Sequence, residues 1–324
     1  MSAGGTIPYH LRQNKAIERA LFIDLLSRVG RYRNISDYRY VGFGGPYLED
    51  FKFLHSSLRI RDMISLEGDS NVAKRQAFNQ PLSCIDIRHQ TSGEFLIEHT
   101  FDKPSLVWFD YAIPGSLPEQ LGETRQLVSM LTAGDVFKIT LNANPETLGR
   151  PRDGDLREFR AATAQDRLTE YGPAVIDPDM VTSKKYPTLL LHAIYSAAKK
   201  GVEGDRRLFV QPLSSFVYKD GQQMVTATGV LLNHGDKDPF FRETRLEHWG
   251  YRNLNWSAPT PISIPDLSAK ERMHIESLLP DIDANAIADQ MGYFVGADKD
   301  EADALMKNFV TYYRLSPWFS RVLV

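Results

Sequence analysis

Cysteine is almost absent from this sequence: Cys84 is the single one among 324 residues. One cysteine can form neither an internal disulfide nor a zinc cluster built on several cysteines. Such sparse usage is typical of proteins kept in a reducing cytoplasm. We therefore predict a cytoplasmic protein without a metal site.

Long apolar runs are also missing. No stretch approaches the roughly 18 consecutive apolar residues that are needed to span a membrane. The first fifteen residues, MSAGGTIPYHLRQNK, contain no apolar core of signal-peptide length. We expect a soluble intracellular protein that does not associate with membranes.

An excess of positive charge is the third absence. The chain carries 38 Lys and Arg against 41 Asp and Glu, a formal net charge of −3. This balance does not indicate a strongly basic nucleic-acid binder. The hydrophobic content of 42% is sufficient for one large domain, or for one domain with an appendage.

What the sequence does contain is a regular alternation of strand-like and helix-like patterns. Short apolar runs separated by helical patterns occur at 40–43, 63–66, 84–87, 105–109 and 136–141. Such alternation predicts crossover connections and a parallel sheet that is covered on both faces. Two further β-rich runs flank Asp220 and Gly221, a pair that predicts an antiparallel hairpin.

Three segments depart from this alternation. An N-terminal segment, 1–37, contains an amphipathic helix predicted over 14–29. Residues 144–185 are rich in charge, proline and glycine, and we interpret them as an insertion that acts as a lid or substrate-side element. Residues 234–324 combine a loop with three helical patterns, which predicts a helical C-terminal appendage to the α/β domain of residues 38–233.

The stretch YVGFGGP places three glycines on the turn after the first predicted strand, at Gly42, Gly44 and Gly45. Small residues at such a turn let the backbone approach a ligand closely, and the following helix offers free N–H groups. Glu67 ends the second strand, where a carboxylate can accept hydrogen bonds from ribose hydroxyls. Asp110 ends the fourth strand. We expect all of them at the carboxyl edge of one sheet, where open α/β sheets bind ligands.

The ordered motifs resemble one methyltransferase class. The dinucleotide fingerprint is incomplete, because its third glycine would fall on Tyr47. The motifs VGFGGP, ISLEGD, LVWFDYAIPG and VFKITLN, followed by the hairpin, resemble the class I S-adenosylmethionine-dependent methyltransferases over residues 38–233. The layout is also similar to that of the three-Cys-motif partner proteins, a methyltransferase-like group often found in bacterial defence neighbourhoods.

The resemblance implies a fold, a cofactor and a set of site residues. The fold is a Rossmann-like doubly wound sheet of mostly parallel strands that ends in an antiparallel hairpin, and the cofactor is S-adenosylmethionine. The implied cofactor-binding residues are Gly42, Phe43, Gly44 and Gly45 beside the methionine part, Glu67 and Gly68 at the ribose, and Asp110 and Tyr111 facing the methyl group. As a catalytic base, Asp110 is the first candidate and His89 the second.

Two departures from the family pattern matter, one at the adenine of the cofactor and one at the methyl acceptor. Many members carry an acid after the third strand for the adenine amino group, whereas this chain reads HQTSGEF and offers Thr91 or Ser92. Amino-directed nucleic-acid methylases carry (D/N/S)PP(Y/F) after the fourth strand, whereas this chain reads DYAIPG. The second departure argues against methylation of base nitrogens.

Three functions follow from these patterns. The leading prediction is an S-adenosylmethionine-dependent methyltransferase of unknown substrate. The alternative is an inactive module on the same scaffold that binds a nucleotide, a nucleic acid or a partner protein, as in a bacterial defence system. An NAD-dependent oxidoreductase is the third, and the missing glycine and the hairpin count against it.

Residues 242–256, RETRLEHWGYRNLNW, interleave arginines with Trp249, Tyr251 and Trp256. Such mixtures stack on bases in nucleic-acid-binding proteins and also form hot spots between proteins. We favour an interface with a partner protein, a second copy of the chain or another domain. A nucleic-acid partner is left open, although the net charge does not indicate it.

Overall fold

The structure is a computed structural model, and it describes residues 12–317 and 319. Much of the stretch on which the signal peptide was judged, residues 1–11, lies outside the described residues. The strands are β1 (Arg39–Phe43), β2 (Asp62–Glu67), β3 (Ile85–His89), β4 (Ser105–Asp110), β5 (Val136–Asn142), β6 (Leu208–Asp220), β7 (Gln222–Asn233) and β8 (Thr260–Ile262).

Eleven α-helices connect or follow these strands within the described residues. They are α1 (Gln13–Val29), α2 (Glu49–Leu58), α3 (Ser70–Asn79), α4 (Ser92–Glu98), α5 (Leu117–Met130), α6 (Leu156–Leu168), α7 (Tyr186–Val202), α8 (Lys237–Thr244), α9 (Ala269–Leu278), α10 (Ala284–Met291) and α11 (Lys299–Tyr312). Among the residues that the structure describes, we find no helix long and apolar enough to cross a membrane.

The strands form one sheet in the order β3-β2-β1-β4-β5-β7-β6-β8. Strands β1 to β5 run parallel to their neighbours, and β7 pairs antiparallel with β5. The hairpin between β6 and β7 turns at Gly221, whose φ of +97° favours glycine. The predicted Rossmann-like sheet with its terminal antiparallel hairpin is thus confirmed.

The apolar strands pack between helices on both faces of the sheet. All seven residues of β5 are buried, as are the first five of β4, and a continuous core joins these strands to α5, α6 and α7. Burial on both faces explains why these strands read as continuous apolar runs and not as alternating ones.

Residues 144–185 are an integral part of this core. Ala164 and Leu168 of α6 are fully buried in it, and α6 packs against α5. This packing differs from the expected lid, because a lid has to expose its inner face when it opens. A role on the substrate side stays a prediction.

The chain divides into two compact units that differ from the predicted segments. Of the described residues, 22–217 and 222–260 form the first unit, and 12–21, 218–221, 261–317 and 319 form the second. The predicted appendage was drawn from residue 234. Residues 234–260 belong to the first unit because their aromatic side chains are buried there.

Trp256 shows this burial most clearly. Its ring is fully buried, meets Phe137 and Tyr195 edge-on, and donates through Nε1 to Ser214 O at 2.9 Å. Trp249 is 2% exposed, and its Nε1 donates to the Asp24 carboxylate at 2.7 Å. The interpretation of these tryptophans as a stacking or hot-spot surface was wrong, since both rings are core residues. Contact of the C-terminal region with a partner stays a prediction.

The second unit contains α9, α10 and α11 together with the first turns of α1. Asn14 links its segments, because its side-chain amide donates to Lys219 O at 3.0 Å and its Oδ1 accepts from Ile264 N at 2.9 Å. Ser268 and Glu271 form a capping box at the start of α9.

Candidate functional site

Of the three glycines expected on the turn after β1, Gly42 lies inside the strand, and Gly44 and Gly45 form the glycine turn that follows it; the whole stretch is closely packed from inside the protein. A Cβ on Gly42 would stand 2.4 Å from Tyr40 Oη and 3.1 Å from Trp108 O. A Cβ on Gly44 would stand 2.5 Å from Ser65 Oγ. Gly45 has a φ of +51°, in the left-handed region that favours glycine. The turn therefore needs these glycines in order to lie against β2 and β4.

Phe43, the last residue of β1, is partly buried and packs its ring against the core. The ring stacks on Phe109 with centroids 5.3 Å apart and meets Tyr111 edge-on at 5.6 Å. A cofactor contact of Phe43, as the resemblance implied, would therefore run through its backbone.

Glu67 ends β2 directly beside the glycine turn, because β1 and β2 are parallel neighbours. Its Oε1 accepts from Asp69 N at 3.0 Å, and its Oε2 lies 3.4 Å from Gln76 Nε2. Burial raises the pKa of the Glu67 carboxyl, and the Asp69 N–H partly offsets this shift. The next residue, Gly68, is exposed. Such a carboxylate retains capacity to accept hydrogen bonds from ligand hydroxyls.

His89 lies beside Glu67 and away from Asp110. It is the register partner of Glu67 at the end of β3, and its Nε2 lies 3.2 Å from Gly68 O. Three strand spacings of about 4.8 Å each separate β3 from β4 in the sheet. The structure therefore does not bring the two candidate bases together.

The hydroxyls after β3 are engaged within the protein. Thr91 forms a capping box with Glu94 at the start of α4. The Ser92 hydroxyl donates to Glu123 at 2.7 Å. These bonds leave the backbone of this loop as the better candidate for contact with an adenine, in place of the Thr91 or Ser92 side chain.

Asp110 lies on the other side of the glycine turn. Because Gly42 and Trp108 are register partners in parallel strands, Asp110 ends β4 at about the level of Gly44. Glu67 and Asp110 end the two strands that flank β1, and these strands are two spacings or about 10 Å apart. One carboxylate can hold hydroxyls and the other can accept a proton.

Tyr111 differs from the role that the resemblance implied. Its side chain is 7% exposed, and its hydroxyl donates to Glu123 at 2.5 Å. Burial, and next the Glu123 carboxylate, raise the pKa of Tyr111 well above its usual value. The Tyr111 side chain therefore points into the core and does not face the methyl group. The physical reason is its aromatic packing against Phe43 and Phe109.

Three residues that the sequence interpretation missed hold the loops at this edge. Glu123 receives the two hydroxyls described above, and Gln120 Nε2 donates to Ile113 O at 2.6 Å. Arg167 Nη1 donates to Thr147 O at 3.1 Å and to Pro114 O at 3.4 Å. The helical spacing of α5 marks Gln120 as a polar residue on a buried face, a usable signal. Arg167 lies in a segment without readable periodicity.

Among the described residues there is no group of three or more His, Cys, Asp or Glu side chains that could hold an ion.

Solved structures of methyltransferases are similar to this chain at low identity. "A putative O-methyltransferase from Klebsiella pneumoniae" is 12% identical, covers 68% of this chain and 80% of its own, and gives a TM-score of 0.36. The plantazolicin methyltransferase BamL, in complex with a triazolic desmethylPZN analog and SAH, is 9% identical, with coverages of 68% and 87% and a TM-score of 0.41. The N-methyltransferase NodS from Bradyrhizobium japonicum WM9 is 10% identical, with coverages of 64% and 94% and a TM-score of 0.35.

No curated protein matches the chain significantly. The model of one family, described as "Putative O-methyltransferase", matches residues 7–324, nearly the whole sequence. Together with a sheet order and hairpin of the class I type, this match settles the relationship: the chain belongs to that methyltransferase family.

Proposed function

We propose that this chain transfers a methyl group from S-adenosylmethionine to a hydroxyl oxygen of its substrate. The observation that carries the proposal is the Glu67 carboxylate, partly buried beside the glycine turn at the carboxyl edge of the sheet. Family membership supports methyl transfer and an oxygen acceptor. The DYAIPG sequence after β4 agrees with it, since amino-directed methylases carry a different motif.

The residues present fit the cofactor. Glu67 would accept hydrogen bonds from the two ribose hydroxyls, because the contact of its Oε2 with Gln76 is long, at 3.4 Å, and a carboxylate oxygen accepts more than one hydrogen bond. The backbone of Gly44 and Gly45 would border the methionine part, because a side chain on Gly44 would clash within the protein and Gly45 has a φ of +51° that favours glycine. The exposed Gly68 would let the nucleoside lie close to the end of β2.

When bound, the cofactor would supply a methyl group on a sulfonium sulfur; an acceptor oxygen would bond to the methyl carbon as the carbon–sulfur bond breaks, and the thioether would leave with the electron pair of that bond. The chain must align the acceptor and exclude water. It must also take the hydroxyl proton, and we assign this role to Asp110, at the end of β4.

Calorimetric titration with S-adenosylmethionine, S-adenosylhomocysteine and, as a control, NAD tests the cofactor assignment. We expect the two methionine-derived ligands to bind and NAD not to bind. Glu67→Ala should abolish binding, whereas Asp86→Ala, an exposed carboxylate change on neighbouring β3, should leave it intact.

Thermal unfolding gives an independent reading of the same binding. Ligand at a hundred times its dissociation constant should add about 2.7 kcal/mol of stability. Binding of NAD alone would overturn the proposal. Binding of S-adenosylhomocysteine without methyl transfer into any cellular extract would favour the non-catalytic module.

A further inference from the structure

One carboxylate oxygen joins the loops that follow β3 and β4. Glu123, on α5, accepts at Oε2 both the Tyr111 hydroxyl at 2.5 Å and the Ser92 hydroxyl at 2.7 Å. Ser92 begins α4 directly after the β3 loop, and Tyr111 is the first residue after β4. The two loops are not sequence neighbours, and their strands are not adjacent in the sheet.

The connection continues to the glycine turn. The Tyr111 ring lies 5.6 Å from that of Phe43, the last residue of β1. On its other side, Glu123 is packed against α4, since a Cβ on Gly93 would stand 3.0 Å from Glu123 Oε1. The contacts Ser92–Glu123–Tyr111–Phe43 therefore link the ends of β1, β3 and β4, three of the strand ends that border the candidate cofactor site.

We propose that Glu123 is a positioning residue that fixes the loop after β4 relative to the loop after β3, so that cofactor binding orders the segment carrying Asp110. This inference rests on the proposed function. Hydrogen bonds to a carboxylate are roughly twice as strong as those between neutral groups, so the bridge is stiff. Burial and the Glu123 carboxylate raise the pKa of Tyr111, which keeps its hydroxyl protonated as a donor.

The test compares single hydrogen-bond deletions of the same type. Tyr111→Phe and Ser92→Ala each remove one donor to Glu123, and Tyr38→Phe is the matched control. Tyr38 is fully buried, and its hydroxyl donates to Gly134 O at 2.8 Å. This hydrogen bond lies at the amino ends of β1 and β5, away from the candidate site. S-adenosylhomocysteine affinity and amide hydrogen exchange are measured for each variant.

In the wild type, S-adenosylhomocysteine should slow exchange at residues 67–69 and also at 110–116. Tyr111→Phe should weaken its affinity by about threefold to tenfold and remove the protection at 110–116, while 67–69 stay protected. Tyr38→Phe should lower the melting temperature and leave affinity and protection unchanged.

Two further variants separate positioning from general packing. Glu123→Gln keeps an oxygen that accepts hydroxyl donors and should retain most of the protection, whereas Glu123→Leu should lose it. In the double variant Tyr111→Phe/Ser92→Ala, the fold-loss of S-adenosylhomocysteine affinity should be smaller than the product of the two single-variant fold-losses, because both donors bind the same oxygen.

The outcomes separate the inference from the function on which it rests. Should Tyr111→Phe and Ser92→Ala both match the wild type in affinity and protection, the positioning role is overturned while the methyltransferase proposal stands. Should the wild type fail to bind S-adenosylhomocysteine at all, the proposed function falls and the inference with it. If Tyr111→Phe does not fold, the affinity and protection of Ser92→Ala alone decide whether Glu123 has the positioning role.

Discussion

Gly44, directly after β1, and Ser65 of β2 face each other so closely that a Cβ on the glycine would lie 2.5 Å from Ser65 Oγ. The Ser65 hydroxyl donates to Gln76 Oε1 at 3.0 Å, and Gln76 Nε2 lies 3.4 Å from Glu67 Oε2. The glycine turn and the candidate ribose carboxylate are thus parts of one packed network between β1, β2 and α3.

Gly44→Ala should disturb this network. The new methyl group would lie against Leu48 Cδ2 as well as against Ser65, so these buried side chains or the turn must shift. Overpacking of this kind costs about 1–3 kcal/mol, which denaturant titration would measure. Binding of S-adenosylhomocysteine should weaken in parallel, because Glu67 moves with its neighbours.

Gly204→Ala is the control, since nothing lies within 4 Å of its added Cβ. That variant should fold and bind as the wild type does. A Gly44→Ala protein with unchanged stability and affinity would show that the turn adapts and that the network is loose.

Cofactor binding should depend on pH through Glu67. Burial raises the pKa of its carboxyl above the ordinary value of 4.5, and the ionised form is the better acceptor for ribose hydroxyls. Affinity for S-adenosylhomocysteine should therefore fall as the pH drops through a midpoint above 4.5. Titration calorimetry from neutral to mildly acidic pH measures this, and a Glu67→Gln protein should bind weakly with no such dependence.

The raised pKa of Glu67 affects folding stability in the opposite direction from its effect on cofactor affinity. A raised pKa means that the folded protein holds the Glu67 proton more tightly than the unfolded chain does, so this group's contribution to the free energy of unfolding falls as the pH rises through that range. Glu67→Gln removes the buried charge. The variant should be more stable than the wild type at neutral pH, with the difference vanishing at acidic pH, and a less stable variant would contradict this assignment.

Trp256→Ala should destabilise the first unit strongly. The ring is fully buried against Phe137 and Tyr195 and donates to Ser214 O, and removing a large buried ring costs about 3–5 kcal/mol. Arg252→Ala, at an exposed position of the same stretch, should cost little. Equal stability of the two variants by chemical denaturation would return Trp256 to the surface role first expected for it.

The sequence predicted the parallel strands and their helices because those signals are local. Periodicity, glycine stops and short apolar runs place β1 to β5 within a few residues of their observed limits. Trp256 could not be placed in this way, since its partners Phe137 and Ser214 are distant in the chain. A sequence that mixes arginines with aromatic residues shows the same pattern whether the rings are buried or exposed.

In the candidate site, too, the features set by local sequence signals were predicted, and those set by contacts between distant residues were not. The positions of Glu67 and Asp110 at the ends of apolar runs correctly predicted that the two residues share one edge of the sheet, because this follows from parallel topology alone. The direction of a side chain does not follow from topology. Tyr111 turned into the core toward Glu123, a residue on α5 whose role no local pattern marks.

We expect Asp110, and not His89, to act as the catalytic base. Asp110 lies next to the glycine turn, whereas three strand spacings of about 4.8 Å separate His89 from β4. Asp110→Asn should therefore slow methyl transfer by about a hundredfold to ten-thousandfold, the usual contribution of a positioned base, and leave S-adenosylhomocysteine affinity nearly unchanged. Radiolabelled methyl transfer into a cellular extract, with calorimetry beside it, measures both. His89→Gln is the matched control and should transfer at nearly the wild-type rate, because its ring contacts Gly68 O at the opposite end of the site. A large loss in His89→Gln with normal transfer in Asp110→Asn would reverse the assignment and place the acceptor hydroxyl beside β3.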